Sequence, residues 1–89
     1  MTDIQQTVYV VEDDEAVRDS LELLLKSEGK EVKAYPSAAD FLGDYSESMA
    51  GCIVLDIRMP GMDGMELQKK LNARHSLLPI IFVTGHGDV

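Results

Sequence analysis

With 89 residues the chain has room for one domain at most, and a domain that small buries only a modest part of its unfolded surface. Sixteen acidic residues against eight basic ones leave a net charge of −8, which repels phosphate backbones and anionic membranes and so excludes direct nucleic-acid contact through this segment. No run approaches the roughly 20 apolar positions of a membrane helix. Residues 1–6 have no basic patch leading into an apolar core, and the lone Cys52 rules out an internal disulfide, so a cytoplasmic protein with no membrane partner is expected.

In chain order, Thr7–Val11 reads as a strand that runs straight into three acids, Glu12-Asp13-Asp14. Val17, Leu21, Leu24 and Leu25 then recur at helical spacing as an inward stripe, with Asp13 or Asp14 as the cap and Gly29 as the left-handed stop. A second strand spans Glu31–Tyr35. After Pro36, Ser37-Ala-Ala-Asp40 has the form of a capping box with Asp in place of Glu, and Ala38, Phe41, Leu42 and Tyr45 make the buried face of a short helix.

Cys52-Ile-Val-Leu-Asp56 is an apolar run that ends in a single carboxylate, as suits a parallel strand covered on both faces, with Cys52 as a plain core residue. Pro60-Gly-Met-Asp-Gly64 is turn chemistry, in which Asp63 serves the turn or caps the next helix. A third helix starts near Gly64, turning Met65, Leu67 and Leu71 inward and Gln68, Lys69, Lys70 and Arg74 to solvent, and it ends before Pro79. The last strand is Pro79–Thr84. His75 and His86 read as a solvated helix-end residue and a solvated loop residue. Strands alternating with helical patterns define an α/β chain with a parallel sheet.

Asp56 and the Glu12-Asp13 pair both come directly after apolar strands, and ligands of open α/β sheets bind at the carboxyl ends of the strands. In a flavodoxin-like order 2-1-3-4 the first and third strands are neighbours, so Glu12, Asp13 and Asp56 meet. Such a cluster must hold either a proton or a cation. Hard oxygen donors, few in number and with room left for water and a phosphate oxygen, describe a Mg²⁺ site better than a Zn²⁺ or Ca²⁺ cage.

Val10-Val-Glu-Asp-Asp-Glu15, Leu55-Asp-Ile-Arg-Met-Pro-Gly-Met-Asp-Gly64 and Phe82-Val-Thr-Gly-His-Gly-Asp-Val89 together resemble the receiver domain of two-component response regulators, within it the FixJ-like subgroup. The resemblance runs the whole length of the chain. It implies a doubly wound parallel sheet, with Asp56 as phosphoacceptor, Asp13 and Asp56 as direct Mg²⁺ ligands, Glu12 as a ligand through water and the backbone carbonyl of Arg58 as a further one. Thr84 resembles the switch hydroxyl of the family.

The implied partner is a sensor histidine kinase, and the implied output is transcription, with DNA contacted only through a C-terminal module. Residues 1–89 are expected to be an incomplete receiver, cut after the fourth strand, so that the final helix-strand-helix and the site lysine of the family have no counterpart. The uncovered fourth strand would then invite self-association, and pairing of two such edges is a route to a homodimer.

The expected protein is not an enzyme. An aspartate-nucleophile phosphohydrolase shares the nucleophile and the metal, but those hydrolases resemble Asp-x-Asp, and Arg58 stands where the second acid belongs. A binding or assembly module that never sees phosphate is the other alternative.

Overall fold

The apolar periodicities sort residues into seven alternating elements in the computed structural model, which describes residues 6–83. They are β1 (Thr7–Val11), α1 (Glu15–Ser27), β2 (Glu31–Tyr35), α2 (Ala38–Asp44), β3 (Gly51–Asp56), α3 (Gly64–Ala73) and β4 (Ile80–Val83). All strand pairs are parallel, and the order is β2-β1-β3-β4, as the flavodoxin-like expectation requires. Right-handed crossovers then decide the layers. The β1-to-β2 connection runs in the opposite direction to the two later ones, so α1 covers one face of the sheet and α2 and α3 the other.

Because side chains alternate along a strand, the α2/α3 face collects Tyr9 and Val11 from β1 and Ile53 and Leu55 from β3. They pack with Ala38 and Phe41 of α2, Leu67 and Leu71 of α3, and Met59 of the intervening loop. Phe41 is the centre of this core, edge-on to Tyr9 and Tyr35 at centroid distances of 5.7 and 5.3 Å.

Cover on the α1 face is thinner. Val10 is fully buried there, but Cys52 and Val54 are half-buried, so the β3 run is not sealed on both faces and Cys52 is not a plain core residue. None of the residues of α1 is fully buried: Val17, Leu21 and Leu25 turn toward the sheet, whereas Leu24 is 58% exposed, against expectation. Met65 of α3, also expected inside, is 49% exposed, and of the three apolar side chains expected inward only Leu67 and Leu71 are buried. In each case the helical stripe is wider than the strip of sheet beneath it.

The helix ends are closed by the residues that the pattern suggested. Asp14 caps α1 by accepting from the Val17 N–H at 3.1 Å. Gly29, at φ 81°, completes a Schellman motif in which the Lys30 N–H donates to Leu25 O and the Gly29 N–H to Lys26 O. The Ser37 hydroxyl accepts from the Asp40 N–H, while both arms of a capping box are present at α3, between Asp63 and Glu66.

The other end of α3 repeats the Schellman bonds, with the Ser76 N–H donating to Leu71 O and the His75 N–H to Asn72 O. His75 takes the left-handed position there, at φ 58°, where a Cβ is strained. His75→Gly is therefore expected to raise stability by about 0.5–1 kcal/mol in a urea titration.

Candidate acidic site

Register delivers the acids to one another. Val11 lies opposite Leu55 in the β1–β3 pair, so Glu12 and Asp56 leave adjacent strand ends side by side. The Glu12 N–H still donates to Tyr35 O at 3.1 Å, which holds it in line with the sheet. Both carboxylates are buried, each with 1% of its surface exposed. Asp13 is partly exposed, and ligand-capable oxygens of Glu12, Asp13 and Asp56 all lie within 4.8 Å of one another.

Backbone amides orient two of the groups. The Asp14 N–H donates to Glu12 Oε2 at 3.0 Å and the Arg58 N–H to Asp56 Oδ1 at 3.1 Å. Glu12 Oε1 and Asp13 Oδ1 are buried acceptors without a hydrogen-bond partner. Buried acceptors are ordinarily satisfied, and a small cation satisfies several carboxylate oxygens at once, so the donor set fits a hard divalent ion.

Burial pushes the Glu12 carboxyl from its ordinary 4.5 up to about 7; the Asp14 N–H bond opposes the rise, and the neighbouring Asp56 and Asp13 carboxyls add to it. A folded-state value above the unfolded one means that this group favours folding below pH 4.5 and that the contribution is lost as pH rises through 7. In chelator, the wild type is expected to lose more stability than Glu12→Gln between pH 4.5 and 8. The difference should be about 2 kcal/mol, read from denaturation midpoints against pH.

The loop after β3 is pinned by residues that sequence reasoning passed over. The Gly64 N–H donates to Ile57 O at 3.1 Å, and a Cβ on Gly64 would stand 2.8 Å from Asp56 O, so the start of α3 abuts the site-bearing strand. A glycine in the first turn of a helix, where propensity disfavours it, was the available signal. Arg18 was likewise unremarked, and its guanidinium bonds the backbone of the β1–α1 turn. An open cavity of about 450 Å³ adjoins the site, lined by Ile57, Arg58, Met59, Pro60 and Asp63.

The structure thus brings Glu12, Asp13 and Asp56 together, with the exposed Arg58 at the rim. Asp63 caps α3 and His75 ends it. Thr84 and His86 lie outside the described residues, although β4 aims at the site: Val83 pairs with Asp56, and its carbonyl accepts from the Ile57 N–H. Among the described residues no helix is long and apolar enough to cross a membrane.

An open parallel sheet with an acidic pocket at the switch between its first and third strands places the chain among the CheY-like α/β proteins. The response regulator receiver domain family matches residues 8–89, and the chain belongs to that family. It is 44% identical over all 89 residues to the response regulator protein TmoT of Ectopseudomonas mendocina, covering 40% of that protein. It is 52% identical over 82 residues to the transcriptional regulatory protein FixJ of Azorhizobium caulinodans, covering 92% of this chain and 39% of FixJ.

Among solved structures, the response regulator StyR superposes with a TM-score of 0.89 at 48% identity, over 97% of this chain and 43% of that one. FixJ-N superposes with a TM-score of 0.86 at 43% identity, over 100% of this chain and 70% of that one. The chain spans about two fifths of the length of the curated relatives it matches.

Proposed function

We propose that the chain is the phosphoacceptor part of a two-component regulator, taking a phosphoryl group on Asp56 from a sensor histidine kinase in a Mg²⁺-dependent step. The observation that carries this reading is the buried Asp56 carboxylate beside Glu12 and Asp13, whose Oε1 and Oδ1 have no other hydrogen-bond partner. In the proposed site Asp13 and Asp56 hold the ion directly, Glu12 holds it through water, and the Arg58 carbonyl completes the protein's share.

When bound, Mg²⁺ offsets charge on the carboxylates and on the transferring group. Asp56 supplies the nucleophilic oxygen. The Arg58 N–H at Asp56 Oδ1 fixes the orientation of that carboxylate, and burial keeps competing water away. The bond to the phosphodonor breaks as the Asp56 oxygen bonds to phosphorus, and the donor's leaving group departs on the opposite side.

Thr84, next in the chain after the strand residue paired with Asp56, is the proposed switch: its hydroxyl would donate to a phosphoryl oxygen and carry the next loop with it. The relatives named as response regulators and as a transcriptional regulator support a transcriptional output, reached through a part of the protein other than this acidic segment.

The test is intact mass after treatment of the full-length protein with acetyl phosphate. One added phosphoryl group that requires Mg²⁺ is expected, and an unchanged mass would overturn the reading.

A further inference from the structure

We infer that Arg18, although it touches neither the ion nor the phosphoryl group in the proposed reaction, is the positioning residue that holds Glu12 and Asp13 in register for cation binding. This rests on the reading of the acidic pocket as a Mg²⁺ site. The turn from β1 into α1 carries four consecutive acids, Glu12 to Glu15, beside the buried Asp56. Like charges at that spacing push the turn open, and the more so before a cation arrives.

One residue ties the first three together. The backbone N–H of Arg18 makes the ordinary helical bond to the cap residue, Asp14 O, at 2.8 Å, and its side chain adds what another residue would not: Nη1 donates to Glu12 O at 2.9 Å and reaches Asp13 O at 3.5 Å. Both contacts come from the single nitrogen Nη1, and the positive charge of the guanidinium strengthens them. Asp14 then returns two contacts of its own, capping Val17 with its side chain and donating its N–H to Glu12 Oε2. The chain Arg18–Glu12 backbone–Asp14 N–H–Glu12 carboxylate therefore closes on a metal-facing group.

Among the described residues the sole ion pair is Lys26 with Glu22, so the charge of Arg18 is turned on backbone carbonyls and not on a carboxylate. That arrangement sets two effects of opposite sign. Holding the turn closed favours the ion, whereas a cation near the pocket repels it. The repulsive effect is screened at physiological salt, and the positional one is not.

The experiment is Mg²⁺ binding by calorimetry, at about 0.15 M ionic strength, to the full chain carrying Arg18→Met, Arg18→Lys or Leu25→Ala. The Met variant keeps the stem and the backbone N–H and removes every guanidinium donor. It should bind about tenfold more weakly. Lysine restores the charge, but its ammonium ends one bond short of Nη1 and so holds the two carbonyls less closely, and it should be about threefold weaker. Leu25→Ala loosens α1 away from the site and should leave affinity unchanged while lowering stability.

Amide exchange at the Asp14 N–H, measured without metal, should quicken in the Met variant only. Equal or tighter binding by a folded Arg18→Met overturns the inference, as does a Leu25→Ala that weakens binding to the same extent. If the Met variant does not fold, the Lys variant decides, and wild-type affinity in it overturns the inference. A wild type that binds no Mg²⁺ overturns the proposed function along with it.

Discussion

Asp56→Asn is expected to take up no phosphoryl group from acetyl phosphate under conditions in which the wild type is labelled. The amide oxygen is neutral and a poor nucleophile, so the loss should exceed the range of an intact-mass assay. The replacement is nearly isosteric, and its oxygen can still accept the Arg58 N–H that Asp56 Oδ1 accepts. Folding should survive. Removing a buried charge beside Glu12 also relieves part of the strain that raises the Glu12 carboxyl, so without metal near neutral pH the variant should be at least as stable as the wild type. Labelling of the variant at Asp13 or elsewhere would show that the nucleophile has been misassigned.

Gly51→Ala should have the largest effect on folding. Gly51 opens β3 at φ 133°, and a Cβ there would stand 1.8 Å from Thr7 O and 2.7 Å from Thr7 N. Both clashes are with backbone. Thr7 cannot retreat, because β1 is held between β2 and β3 and the Thr7 N–H already donates to Ala50 O at 2.9 Å. A loss of at least ~4 kcal/mol is expected, most of the stability of a small domain. Circular dichroism should show the variant largely unfolded at 25 °C; a cooperative transition within about 1 kcal/mol of wild type would mean that the start of β3 can relax.

Gly51 also shows where sequence reading stops. The apolar run placed the third strand at Cys52–Asp56, one residue short, because a glycine has no side chain with which to extend such a run. β1 and β2 were legible to the residue, since Glu12 and Pro36 mark where they end and Gly29 closes the helix just before β2. The caps at Asp14 and Ser37 and the stop at Gly29 were legible for the same reason: the bonds that make them span no more than five residues. The outward turn of Leu24 and Met65 was not legible, because helical spacing defines a stripe but not how much sheet lies under it.

The acidic residues divide in the same way. That Glu12, Asp13 and Asp56 each stand at a strand end is set by the sequence alone, because apolar β-prone runs precede them. That Glu12 and Asp56 are buried side by side depends on β1 pairing with β3, in the register Val11 to Leu55, and right-handed crossovers place the helices that cover that pair. The grip of Arg18 on Glu12 O spans only six residues, yet it too escapes a sequence reading. An arginine one turn into a helix reads as a solvated charge until the preceding turn closes, when backbone carbonyls that no side-chain pattern encodes come within its reach.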